Sequence, residues 1–151
     1  MVWGCFTWWH IGPLVKIEGI MKKEDYLYIL QANLPEFVDK SAYPEEEIYF
    51  QQDGDPKHSA KIVQNWLLSQ RFRVLKWPAQ NPDLNAIENL WALLKKRLPV
   101  YERSPKNMED LWLRVQAEWA SIPNHTIEKL AESMPKRIKS VIKNKGLWTK
   151  Y

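Results

Sequence analysis

Hydrophobic period switches repeatedly along this chain, and the order of the switches limits the folds open to it. Ile48-Tyr49-Phe50-Gln51-Gln52 reads as a β-run that stops at Asp53-Gly54, Ile62, Val63, Trp66 and Leu67 mark one helical face, and Phe72 to Leu75 form a second β-run. A strand, helix and strand in that succession are joined by a crossover, which is how parallel strands are connected. Upstream, residues 1–9 and Leu14 to Glu18 flank His10-Ile11-Gly12-Pro13, whose Gly-Pro punctuation predicts a hairpin turning there. Asp25 to Phe37 carries Leu27, Leu30 and Leu34 at helical spacing. Downstream, Ile87, Leu90, Trp91, Leu94 and Leu98 form an apolar stripe on a helix that starts near Asn85 and stops before Pro99. Three further stripes follow: Met108, Leu111, Trp112, Val115 and Trp119; Ile127, Leu130 and Met134; Ile138, Val141 and Ile142. The order implies an α/β protein with a mixed sheet, helical crossovers and an added helical end.

With 151 residues there is room for one domain, and 45% hydrophobic with 26% charged residues excludes a disordered tail. No run of about 20 apolar residues is present, so a membrane partner is not expected. Nor does the N-terminus carry a secretory pattern of basic, apolar and small residues. The single cysteine, Cys5, excludes disulfides and cysteine-based zinc sites within the chain. Nine tryptophans must carry packing or a contact surface. There are 22 basic and 18 acidic residues, and the excess is concentrated. After Glu132 no acidic residue occurs, while Lys136, Arg137, Lys139, Lys143, Lys145 and Lys150 follow. Such a segment suits phosphate contact, or equally a solvated helix face.

Asp53 ends a β-run, and in α/β sheets ligands bind beyond the carboxyl ends of strands. The competing reading is an ordinary turn aspartate beside Gly54. Asp55 before Pro56 reads as an N-cap with proline in the first helical position, which places Lys57 and His58 in a first helical turn. Glu88 follows Asn85 at capping-box spacing, yet it also borders the Ile87, Trp91 stripe and can present a carboxylate toward a strand end. His10, His58 and His125 lack the spacing of a zinc motif.

Phe50-Gln51-Gln52-Asp53-Gly54-Asp55-Pro56-Lys57-His58-Ser59 and Trp77-Pro78-Ala79-Gln80-Asn81-Pro82-Asp83-Leu84-Asn85-Ala86-Ile87-Glu88-Asn89-Leu90-Trp91 closely resemble the catalytic core of mariner-type DDE transposases. Val2-Trp3-Gly4-Cys5-Phe6 and Gly12-Pro13-Leu14 match upstream in the same order. One branch of that family separates its second Asp from its Glu by 34 residues, the interval between Asp53 and Glu88. The resemblance covers a core over 1–98 and continues more weakly through a helical end over 99–151. It implies one partial catalytic domain over 1–151 with a ribonuclease H-like fold. It also implies that Asp53 and Glu88 are catalytic metal ligands for two divalent cations, Mg2+ or Mn2+. Oxygen ligands suit such hard cations, and a pair of them activates the attacking oxygen and stabilises the leaving one in phosphodiester chemistry.

The family's first Asp lies on a sheet strand upstream of the Val2-Trp3-Gly4 run and has no counterpart here. Asp25 and Asp39 fall in or near a predicted helix and do not replace it. The expectation is therefore a catalytic-domain fragment for DNA cleavage and strand transfer, inactive alone and lacking the first sheet strand. Unpaired strand edges predict weak stability or a homo-oligomer. DNA is the expected partner, with Lys57, His58, Lys136, Arg137, Lys139, Lys143 and Lys145 as candidate contacts. The nucleus is the expected compartment in a eukaryotic host. Ala86 stands where the family commonly has Pro, and alanine still favours the helix that presents Glu88. Trp77 and Trp91 belong to apolar runs and are expected in the core. The alternative function is a non-catalytic nucleic-acid-binding module derived from a transposase.

Overall fold

The computed structural model describes residues 1–41, 43–76 and 84–145. The motif residues 77–83, Trp77 among them, and Lys150 lie outside that set. The described residues fall into two compact units: Met1 with Ile17–Asn81, and Val2–Lys16 with Pro82–Tyr151. Each holds one two-stranded ladder, so the expected mixed sheet occurs as one antiparallel and one parallel pair.

In the first unit, α1 (Lys23–Asp39) buries Tyr26, Ile29, Leu30, Leu34 and Val38. These recur every three or four residues and make one continuous face. Asp25 is consumed at the start of this helix, accepting from the Lys22 amide at 2.8 Å. The crossover unit follows as β3 (Tyr49–Phe50), α2 (Lys61–Leu68) and β4 (Arg73–Val74). The two strands are parallel, as the strand-helix-strand order requires, with Tyr49 opposite Arg73 and Phe50 opposite Val74. Val63 and Leu67 of α2 are fully buried, and Phe72 packs its ring 5.9 Å from that of Phe50.

Helix α2 begins five residues later than Asp55-Pro56 suggested. Residues 56–59 form one isolated turn, in which the amides of His58 and Ser59 donate to the Asp55 carbonyl at 2.9 and 3.1 Å. Asp55 does cap this turn, accepting from the Lys57 amide at 2.8 Å. The cap rule recognised a real helical start, but Ala60 adopts ψ 140° and breaks it before the helix proper.

In the second unit, β1 (Val2–Phe6) and β2 (Ile11–Lys16) form the hairpin. Its turn lies at Thr7–His10, where the Thr7 amide donates to the His10 carbonyl at 2.8 Å, and not at His10–Pro13. Gly12 and Pro13 instead lie inside β2, at the irregularity between the Gly4↔Leu14 and Phe6↔Ile11 pairs. Proline has no N–H to give a ladder, and a bulge is a place where none is needed.

Helices α3 (Ile87–Arg97), α4 (Met108–Ala120) and α5 (Asn124–Lys143) complete this unit. Leu90, Leu94, Trp119, Ile122 and Ile127 form its core, flanked by Phe6, Ile11, Leu14 and Trp91. The Trp91 and Trp119 rings stack at 5.0 Å, and the Trp119 indole N–H donates to the Gly12 carbonyl at 2.8 Å. Gly4 allows the strand to approach this pair: a Cβ there would lie 2.9 Å from Trp91 Cη2 and 3.0 Å from Trp119 Cζ2. Burial also pushes the Cys5 thiol up to about 12, so the sole cysteine is a small packing group, not a nucleophile.

Candidate active site

Asp53 stands three residues beyond the end of β3, in the loop leading to the 56–59 turn. Its carboxylate is about half exposed, at 49%. Oδ1 accepts from the Asp55 amide at 3.1 Å and lies 2.6 Å from His58 Nδ1. An ionised carboxylate only accepts hydrogen bonds, so the short contact places the imidazole proton on Nδ1. Oδ2 has no hydrogen-bond partner among the described residues.

His58 is itself held from three sides. Its ring stacks on Tyr26 of α1, centroids 4.0 Å apart and planes 30° from parallel. Its carbonyl accepts from the side-chain amides of Gln52 and Gln64 at 3.0 and 2.8 Å. The buried Tyr26 hydroxyl donates to Gln52 Oε1 at 2.8 Å, closing the network around the loop. Lys57 reaches Asp55 Oδ2 at 2.7 Å. Partial desolvation raises the Asp55 carboxyl, but the Lys57 hydrogen bonds and charge outweigh it and hold Asp55 below the ordinary aspartate value. The structure therefore brings Asp53, Asp55, Lys57 and His58 together, with Lys57 bonded to Asp55 and His58 to Asp53. Tyr26, Gln52 and Gln64 were missed as supporting residues. Only Gln52 carried a signal, through its place in the motif.

Glu88 lies in the first turn of α3 and is exposed. The capping box with Asn85 does not form, since Ala86 occupies the cap without a side-chain bond. The Asn85 backbone carbonyl accepts from the Glu88 amide at 3.1 Å instead. No hydrogen bond or ion pair engages the Glu88 carboxylate among the described residues, so the competing claim on this side chain disappears. Also among the described residues, no three His, Cys, Asp or Glu side chains gather as a metal-holding group. Asp53 and Glu88 each offer carboxylate oxygens, the donor type that hard divalent cations prefer.

Of the basic candidates, Lys136, Lys139, Lys143 and Lys145 are exposed on or just beyond α5. Arg137 is a correction: it is 3% exposed, its Nε donating to Ser133 Oγ at 2.8 Å and its Nη2 to Asn89 Oδ1 at 2.9 Å. At 3.6 residues per turn the Ile127, Leu130, Met134 seam continues through 137 and 141, which turns Arg137 inward. The same geometry leaves Ile138 and Ile142 exposed, contrary to the third stripe. Arg137 thus ties α5 to α3 beside Glu88 and is not a phosphate contact.

A family model for DDE superfamily endonucleases matches residues 13–112. The Tcb1 transposase of Caenorhabditis briggsae is 42% identical and the Tc1 transposase of Caenorhabditis elegans 38% identical, over all of this chain and 54% of each relative. The chain spans about half the length of those relatives. Among solved structures, the Mos1 transposase catalytic domain with raltegravir and Mg superposes with a TM-score of 0.83 at 17% identity. That match covers 99% of this chain and 76% of the other. The Mos1 mariner paired-end complex with Mn gives 0.85 at 17% identity, covering 99% and 44%. The chain belongs to the DDE superfamily, as a Tc1/mariner-type transposase catalytic domain with a ribonuclease H-like fold.

Proposed function

We propose that this chain is the part of a transposase catalytic domain that supplies two metal-binding carboxylates, Asp53 and Glu88, for cleavage and strand transfer of transposon DNA. The observation that carries the reading is the Asp53 carboxylate, held through Oδ1 while Oδ2 makes no hydrogen bond among the described residues. A bound pair of Mg2+ or Mn2+ ions supplies activation of the attacking oxygen and stabilisation of the leaving one. The protein's own part is to fix Asp53 through the 53–59 loop and to present Glu88 from α3, whose buried Leu90 and Leu94 set the helix rotation. Asp53 and Glu88 are the two carboxylates of the family's set that the resemblance places on this sequence.

DNA is the proposed partner, held through the exposed Lys136, Lys139, Lys143 and Lys145. Assembly with further copies on DNA and action in the nucleus complete the proposal. Mos1 supplies a precedent for assembly, having been solved as a paired-end complex and as a strand transfer complex. No described helix is long and apolar enough to cross a membrane. The exposed lysines also favour a second reading, a DNA-binding module without catalysis.

The test incubates purified chain with transposon-end DNA and Mg2+ or Mn2+. Salt-sensitive DNA binding, with metal binding that Asp53→Asn weakens, is the expected result. Nicking that Asp53→Asn abolishes would exclude the non-catalytic reading. Absence of both DNA and metal binding would remove the proposal altogether.

A further inference from the structure

We propose that His58 is a positioning residue for the metal-binding carboxylate of Asp53, an inference that rests on the assignment of Asp53 as a ligand. The 2.6 Å bond from Nδ1 and the 3.1 Å bond from the Asp55 amide converge on one oxygen, Oδ1. With that oxygen held by two donors, the carboxylate plane has little freedom to rotate, and Oδ2 is the oxygen left to a cation. A half-exposed aspartate without these bonds would lose rotamer freedom on binding; here that ordering accompanies folding.

The support behind the histidine is what makes it more than a chance neighbour. Tyr26 is 1% exposed on α1 and stacks on the imidazole, so the ring orientation is set from the core. Gln52 accepts from the Tyr26 hydroxyl and donates to the His58 carbonyl, and Gln64 of α2 donates to the same carbonyl. Backbone and ring are thereby fixed by α1, α2 and the residue preceding Asp53. Outer partners of this kind typically change metal affinity or activity by about 10–100-fold when removed.

Two substitutions separate positioning from packing. His58→Phe keeps a ring on Tyr26 and removes the donor, whereas His58→Asn places an amide N–H where Nδ1 stood and removes the ring. Mn2+ binding to the whole chain, followed by electron paramagnetic resonance, should weaken about 10–100-fold in His58→Phe and be largely restored in His58→Asn. Thermal unfolding should rank them oppositely, with the Phe variant nearer the parent. If both readouts favour Phe, His58 is only packing and the proposal is overturned. Loss of Mn2+ binding in the parent itself would remove the ligand assignment, a failure distinct from equal binding by parent and His58→Phe. Nitrogen-15 spectra of the parent give a metal-free check: the proton must reside on Nδ1, and a ring carrying it only on Nε2 contradicts the inference.

Discussion

Asp53 and Glu88 are presented by opposite means. Asp53 sits on irregular backbone, and polar bonds fix it: two donors on Oδ1, a stacked tyrosine behind the histidine, and two glutamine amides on the histidine carbonyl. Glu88 sits on a regular helix, and apolar burial of Leu90 and Leu94 fixes the helix while the carboxylate makes no bond among the described residues. A loop has no repeating ladder to hold its shape, so a ligand placed there needs dedicated side-chain partners. On a helix the backbone supplies that rigidity, and the core only has to fix its rotation. Damage near Asp53 should therefore alter the site before it alters the fold, whereas damage around Glu88 should reach the fold first.

The strongest test of that contrast removes Trp119, which is 3% exposed, stacked on Trp91 and bonded to the Gly12 carbonyl. Trp119→Ala should lower unfolding free energy by about 3–5 kcal/mol in urea titrations. Gly4→Ala attacks the same stack by overpacking, since its methyl would meet two tryptophan carbons at 2.9 and 3.0 Å. Its expected cost is about 1–3 kcal/mol by the same measurement. On the Asp53 side, Tyr26→Phe keeps the ring stack and removes the hydroxyl that bonds Gln52. About 1 kcal/mol of stability should be lost, with a larger proportional change in Mn2+ affinity than in stability.

Asp55 contributes through pH. Its folded-state pKa is lowered, so its stabilisation is present above the ordinary aspartate value of about 3.9 and disappears as pH falls through the lower folded value. Asp55→Asn should accordingly flatten the acid limb of the stability profile and leave its shape at alkaline pH unchanged. The smallest effect is expected for Glu88→Gln, within about 0.5 kcal/mol of the parent, because an exposed unpartnered side chain contributes little to folding.

Periodicity made most of the secondary structure legible before any coordinates. The α3 stripe marked Leu90 and Leu94 as buried, and the strand-helix-strand order implied the parallel β3–β4 pair. Motif order and the Asp53 to Glu88 interval identified the family and its fold. Local rules misled where two geometries share one pattern. Gly12-Pro13 punctuates a bulge as readily as a turn, and the Asn85, Glu88 spacing of a capping box can occur with the cap left to Ala86. The side-chain network was not legible, because Tyr26 reaches His58 only once α1 has packed against α2. Arg137 was read as surface charge because its residue type outweighed its place on the inward seam of α5.

Mn2+ titration of the parent chain beside Asp53→Asn and Glu88→Gln tests the carboxylate assignment most directly, with circular dichroism to verify folding. The parent should bind Mn2+, and each substitution should weaken binding while leaving the fold intact. Folded variants that both bind Mn2+ as tightly as the parent would contradict the assignment of these two carboxylates.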